Sequence, residues 1–144
     1  MKKFALVVPL SEDLKHVALV EKLGLVPSFI AGKIHFPGGP VADGESAEHC
    51  AVRSLREETG LRVPQSALSR IAYQHKKGEF ELTVFAVCVP TFAVEGTVKD
   101  EVELKYTLEA LRASVAANPD RYVEDVLQYV ELALMEFNAL AESE

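Results

Sequence analysis

Several residue types are scarce in this 144-residue chain, and each scarcity narrows the class of protein. Tryptophan is absent, and there are two cysteines and two methionines. The cysteines, Cys50 and Cys88, lie far apart in apolar sequence, so they form neither a disulfide framework nor a zinc-ligand spacing. We therefore expect two buried free thiols and a cytoplasmic protein.

Basic residues and long apolar runs are also few. The 15 Lys and Arg are outnumbered by 22 Asp and Glu, which gives a formal net charge of −7 and disfavours a nucleic-acid polymer as partner. No apolar stretch is long enough to span a membrane. The first ten residues resemble a signal peptide faintly, but their apolar run is short and lacks a small-residue cleavage site, so a first strand is the better interpretation. The length predicts one domain, residues 1–144.

Strand-like and helix-like patterns alternate along the chain. The alternation predicts strands at 4–10, 16–23, 33–36, 69–75 and 79–90, with a less regular one at 91–97. Asn118, Pro119 and Asp120 form a start signal for a long closing helix, and a short helix is expected at 108–115. Strands on both sides of a central helix predict a three-layer α/β/α sandwich.

The central helix is the most informative stretch of the chain. Ser46 is a good N-cap and Gly60 a good left-handed C′ residue, so the helix should run from residue 47 to 59. At about 100° per residue, Glu58 falls within the buried stripe and Glu57 on its border. Two inward acids facing a Pro-Gly-Gly loop indicate a divalent cation, whereas two solvated glutamates at a helix end are the other interpretation. The helix alone leaves both open.

Residues 39–61 resemble the Nudix box, G-x5-E-x7-R-E-U-x-E-E-x-G-U, where U is a bulky aliphatic residue. Eight of its nine fixed positions match at the right spacing: Gly39, Glu45, Arg53, Leu55, Glu57, Glu58, Gly60 and Leu61. The ninth, a glutamate in the family, is Ser54 here. The resemblance implies a mixed sheet between helices and a magnesium- or manganese-dependent hydrolase of a nucleoside diphosphate linked to another group, X.

The same resemblance assigns roles to individual residues. A carbonyl at Gly38 or Gly39, together with Glu57 and Glu58, would bind the metal, and Arg53 with Glu45 would orient the loop on the helix. A later-loop acid, Asp100 or Glu101, would join the metal ligands, although a solvated acidic turn explains those two equally well.

Lys33 and His35 alternate with apolar residues on the strand before the glycine loop. They could form a positive, substrate-binding lining for a phosphate, or a solvated strand face, which is the slightly favoured interpretation.

Three functions are compatible with this pattern. The first is an active hydrolase with a metal site reduced by Ser54, and the second is a nucleotide-binding or regulatory module without turnover. The third is a partner-binding domain in which the box folds the loop. Retention of Glu45, Arg53, Glu57 and Glu58 favours the hydrolase, with a small nucleotide derivative as partner, no nucleic-acid polymer, no membrane, and a homodimer possible.

Overall fold

The computed structural model describes residues 2–22, 33–90, 101–122 and 125–142. Seven strands, three α-helices and two single-turn 3-10 helices lie in these ranges. In chain order they are β1 (Lys2–Ser11), β2 (His16–Lys22), β3 (Ile34–His35), β4 (Gly38–Pro40), α1 (Ala47–Thr59), a 3-10 turn (Gln65–Ala67), β5 (Ser69–Lys76), β6 (Phe80–Val89), β7 (Glu101–Thr107), α2 (Leu108–Ala117), a 3-10 turn (Pro119–Arg121) and α3 (Val126–Glu142).

The strands form one mixed sheet in the order β3-β2-β1-β6-β5, with β4 added beside β1 and β7 beside β2. β1 runs parallel to β6 along its whole length, and the other pairings are antiparallel. The predicted hairpin of β1 and β2 is confirmed, with Leu10 opposite Val17. β6 is central, as its apolar sequence predicted.

β1 and β2 diverge after their hairpin, and residues 34–40 lie between them. We call this inserted segment, residues 34–40, the fork. β3 pairs with β2 on one side of this fork, and β4 pairs with the first half of β1 on the other. The N–H of Val7 donates to the carbonyl of Pro37 at 2.9 Å, in the middle of the fork. The fork therefore holds the Pro-Gly-Gly turn close to the centre of the sheet.

Side chains of β6 show that the sheet is covered on both faces. Phe85 and Val87 pack in one apolar cluster with Leu55 of α1, whereas Val84 and Ala86 pack in the other cluster, with α2 and α3. The three-layer α/β/α prediction is thus confirmed. Among the described residues, no helix is both long enough and apolar enough to cross a bilayer.

Most predicted elements are confirmed, and the bounds of α1 agree at both ends. The start predicted for the closing helix is wrong: Pro119 opens the second 3-10 turn, and α3 begins at Val126. Tyr122 causes the difference, because it is buried, forms a bridge with Ile34 and hydrogen-bonds through its hydroxyl to Ser114 at 2.6 Å. These tertiary contacts, and above all the bridge to the distant Ile34, remove the chain from the helical path.

The two cysteines are free thiols, as expected. Cys50 is buried, whereas Cys88 is half-buried, so the burial predicted for Cys88 is only partial. The strand expected at 91–97 lies outside the described residues.

Candidate active site

Local sequence determines both ends of α1. The hydroxyl of Ser46 accepts a hydrogen bond from the backbone N–H of His49 at 3.0 Å, which satisfies one of the open donors of the first turn. Gly60 has φ of 77°, and its N–H donates to the carbonyl of Arg56 at 2.8 Å. With both ends held, the side chains of α1 keep a defined register toward the fork.

Side chains spaced four residues apart along α1 and its N-cap form an inner row: Ser46, Cys50, Ser54 and Glu58. Ser46 is exposed, whereas the other three members are buried, with Glu58 only 4% exposed. A carboxylate oxygen of Glu58 accepts a hydrogen bond from the backbone N–H of Gly38 at 2.7 Å. The inner row therefore brings one glutamate of the box into direct contact with the Pro-Gly-Gly turn.

Cys50 and Ser54 connect the middle of the inner row to the same turn. The thiol of Cys50 lies 3.6 Å from the carbonyl oxygen of Gly39 and 3.5 Å from that of Pro40. Its sulfur is 3.9 Å from the hydroxyl oxygen of Ser54, and burial raises the pKa of the thiol. The family glutamate is thus replaced by a small buried hydroxyl beside a neutral thiol.

An outer row of titratable side chains runs parallel to the inner one: Glu45, His49, Arg53 and Glu57. The Arg53 guanidinium donates two hydrogen bonds to the carboxylate of Glu45, at 2.8 and 3.0 Å. It also donates to Glu57 at 3.3 Å. The contact expected between Glu45 and Arg53 is therefore present, and Arg53 extends it to Glu57.

Electrostatics within the outer row favour the charged forms of Glu45 and Arg53. The hydrogen bonds from Arg53 and from the backbone N–H of Ala42 hold the pKa of Glu45 well below its usual range. The hydrogen bonds to Glu45 raise the pKa of Arg53 above its already high ordinary value. Near neutral pH the Glu45 carboxylate is therefore ionised and can only accept hydrogen bonds.

Glu57 and Glu58 are consecutive but differ in environment. The Glu57 side chain is 44% exposed beside Arg53, whereas that of Glu58 is buried against Gly38. One carboxylate is thus open to solvent and the next is held by the fork. Together with the Gly39 carbonyl and the Ser54 hydroxyl, they are hard oxygen donors, which magnesium and manganese prefer.

Side chains alone do not complete such a site. Within the described ranges, no three His, Cys, Asp or Glu side chains gather closely enough to hold a metal ion. Two carboxylates would need backbone carbonyls and water to complete a coordination shell, and magnesium is commonly bound in that way. The donors fit a hard divalent cation, with one carboxylate fewer than the family pattern implies.

The expected substrate and later-loop residues have mixed outcomes. Lys33 is half-buried, but His35 is only 6% exposed, so the solvated face expected for His35 is wrong. The reason is the fork, because β3 pairs with β2 there and places His35 opposite Val20. Glu101 begins β7 opposite Lys22 rather than lying in a loop, and Asp100 lies outside the described residues.

The sequence does not indicate the full part that three residues play in the site. It suggests a carbonyl ligand at Gly38, yet the Gly38 N–H holds Glu58 and its backbone lies close against β1. Periodicity places Cys50 in the buried stripe without its contacts to the turn, and the box does not include His49. The four-residue spacing from Glu45 could have indicated His49, whereas the Gly38 contacts depend on the path of the fork.

The three layers, with the acidic residues of α1 beside a glycine turn, define an α/β protein with a candidate site for a cation. The chain belongs to the Nudix family, because the NUDIX domain model matches residues 2–139. Members are hydrolases of nucleoside diphosphate derivatives that generally need divalent metal ions. No curated protein sequence matches the chain.

Solved structures of the same fold resemble this chain over most of their length. The NUDIX domain of Shewanella oneidensis NrtR, complexed with ADP ribose, has a TM-score of 0.72 at 19% identity, covering 94% of this chain and 87% of its own. A MutT structure from work on Aliivibrio salmonicida and Vibrio cholerae has a TM-score of 0.67 at 20% identity, with coverages of 90% and 97%. The MutT NUDIX hydrolase of Burkholderia pseudomallei has a TM-score of 0.68 at 15% identity, with coverages of 91% and 96%. At these identities the likeness establishes the fold.

Proposed function

We propose that this chain is a single Nudix domain that hydrolyses the diphosphate linkage of a nucleoside diphosphate joined to a group X, with magnesium or manganese as cofactor. The observation that carries the proposal is the pair of consecutive carboxylates, Glu57 and Glu58, at the contact between α1 and the fork. Glu58 is 4% exposed and accepts a hydrogen bond from the Gly38 N–H, and Glu57 is the next residue in the chain. Carboxylate oxygens beside a backbone turn are the kind of ligands that a hard divalent cation prefers.

The metal ligands in this proposal are Glu57, Glu58 and the carbonyl of Gly39. A bound divalent cation would supply charge neutralisation for the diphosphate and a lowered pKa for bound water. Without such a cation, a chain of net charge −7 would repel a diphosphate from this carboxylate pair.

Other groups of the chain position the two carboxylates. The backbone N–H of Gly38 holds the carboxylate of Glu58, while the Arg53 side chain holds Glu57 and is itself held by Glu45. The general base must accept a proton from the attacking water, which the Ser54 hydroxyl cannot do in the way that a glutamate does. Glu57 is a better candidate for the general base than Glu58, because its side chain is 44% exposed and can reach a solvent molecule.

The substrate class rests on chemistry shared with a structural neighbour. ADP ribose, the ligand of the NrtR domain, is a nucleoside diphosphate joined to a sugar. Lys33, half-buried immediately before the fork, remains a candidate phosphate contact, whereas the burial of His35 argues against a direct contact. The identity of X is left to a substrate screen.

A second function is favoured by one observation, the replacement of a family glutamate by buried Ser54. In this alternative the domain binds a nucleotide derivative and does not turn it over. The two functions agree on the ligand and differ in whether product forms.

Metal titration by calorimetry tests the proposal, using manganese and magnesium on the native chain and on the Glu57→Gln, Glu58→Gln double variant. The matched control is the Glu109→Gln, Glu131→Gln double variant, which removes the same charge from α2 and α3. We expect the site variant to lose at least tenfold in affinity, and the control to bind like the native chain. Equal affinities in all three proteins would exclude the site.

Hydrolysis of a panel of nucleoside diphosphate derivatives, with each metal, then separates the two functions. Product release by the native chain and none by the site variant supports the hydrolase. Tight binding of a panel member without product supports the binding module.

A further inference from the structure

The carboxylate of Glu45 is the most heavily used acceptor of the outer row. It receives hydrogen bonds from the backbone N–H of Ala42 at 3.1 Å and from Arg53 at 2.8 and 3.0 Å. Nδ1 of His49 approaches the same carboxylate to 2.6 Å. The Glu45 side chain is only 8% exposed, whereas that of His49 is 58% exposed.

The contact fixes the proton on the His49 ring. Glu45 can only accept, since the hydrogen bonds that it receives keep it ionised. Nδ1 of His49 therefore carries a hydrogen in the neutral ring as well as in the charged one. His49 Nδ1 and Arg53 Nε donate to the same oxygen, Oε2 of Glu45. The position of the His49 ring therefore affects the position of that oxygen and, through it, of the Arg53 guanidinium.

His49 is not placed to take part in the chemistry itself. It precedes Glu58 by nine residues, which puts the two on opposite sides of α1, and it precedes Glu57 by more than two turns, roughly 12 Å along the axis. Its side chain is 58% exposed. Any influence on the carboxylate pair must pass through Glu45 and Arg53.

We propose that His49 is a positioning residue that fixes Glu57 through the outer row. His49 orients Glu45, Glu45 holds Arg53 in a two-hydrogen-bond contact, and Arg53 holds the carboxylate of Glu57. His49 lies outside the fixed positions of the box. The inference rests on the proposed function only in taking Glu57 as a metal ligand.

The expected effect is on metal affinity rather than on substrate binding. Loss of outer partners of metal ligands typically costs 10–100-fold in metal affinity or activity, and we expect about tenfold, the lower end, because two residues intervene. At saturating manganese, the KM for the diphosphate should stay within about twofold, because His49 is remote from the fork.

Three variants test the inference: His49→Ala removes the donor, His49→Asn keeps an N–H where Nδ1 stands, and His16→Ala is the matched control. His16 is also a histidine near a carboxylate, 3.9 Å from Asp13, but it lies in the β1–β2 hairpin. Each protein is checked by thermal melting. Manganese affinity and the NMR resonance of the Arg53 side-chain Nε–H are then measured.

We expect His49→Ala to shift the Arg53 resonance and weaken manganese binding about tenfold, His49→Asn to restore both, and His16→Ala to change neither. Native manganese affinity in His49→Ala would overturn the inference, and so would an Asn variant that behaves like the Ala variant. If the native chain binds no manganese, the proposed function is refuted independently of the role of His49. In that case an unchanged Arg53 resonance in His49→Ala would also refute the positioning role, whereas a shifted resonance would support the step from His49 to Arg53.

Discussion

Replacement of Gly38 by alanine should disrupt the fold and the site together. Gly38 has φ of +151°, and a Cβ there would lie 2.1 Å from the backbone oxygen of Ala5 and 2.8 Å from Cα of Leu6. Both are backbone atoms of the central strand β1, so neither can move cheaply. Backbone strain and overpacking each cost about 1–3 kcal/mol, or roughly 2–6 kcal/mol together.

This loss is a substantial fraction of the stability of a typical domain, which is about 5–15 kcal/mol. For a chain of this size it corresponds to a melting temperature roughly 5–20 °C lower. Relief of the clash would move β4 away from β1 and withdraw the Gly38 N–H from Glu58, so any variant that folds should also bind manganese more weakly.

The neighbouring glycine provides a matched control. A Cβ on Gly39 would meet no other described atom within 4 Å, so Gly39→Ala should melt within a few degrees of the native chain. Both variants would be measured by calorimetric melting and by urea unfolding. If Gly38→Ala and Gly39→Ala have equal stability, the close approach of Gly38 to β1 is refuted.

Three further predictions concern α1. Ser54→Glu adds a carboxylate to the buried inner row, so it should lower the metal-free melting temperature and, with metal, raise kcat/KM by about 10²–10⁴-fold; a lower rate with metal bound would contradict this. Gly60→Val places a branched side chain at φ of 77°, which should cost about 1–2 kcal/mol or more in urea unfolding, and a native midpoint would refute it. Because hydrogen bonds lower the folded pKa of Glu45, its stabilisation is full above the ordinary carboxyl pKa of about 4.3 and is lost as pH falls through the lower folded value. The stability difference between the native chain and Glu45→Gln should therefore shrink in acid, and a difference that stays constant from neutral to strongly acidic pH would contradict the assignment.

Helix α1 could be predicted to the residue because its signals are local. Ser46 and Gly60 act on backbone groups within one turn, and the apolar stripe repeats within the helix. The burial of Glu58 also followed from this periodicity. The contact between Glu45 and Arg53, in contrast, was expected from the resemblance, since residue 45 precedes the helix.

Contacts distant in sequence account for what could not be predicted. Tyr122 leaves the helical path for a bridge with Ile34, and His35 is buried because two diverging strands enclose it. Neither partner can be inferred from neighbouring residues. The different environments of Glu57 and Glu58 likewise depend on where the fork brings Gly38.

The parallel pairing of β1 with β6 has a consequence for how the chain folds during synthesis. Lys2 pairs with Phe80 and Ser11 with Val89, so β1 has its full-length partner only after α1 and β5 have been made. At about 5–20 residues per second, the apolar β1 waits several seconds outside the ribosome with β2 and the fork beside it. Such distant pairing slows folding and leaves an unpaired strand edge exposed to other chains. A nascent chain stalled before β6 should therefore require a chaperone, even though its acidic helix is complete.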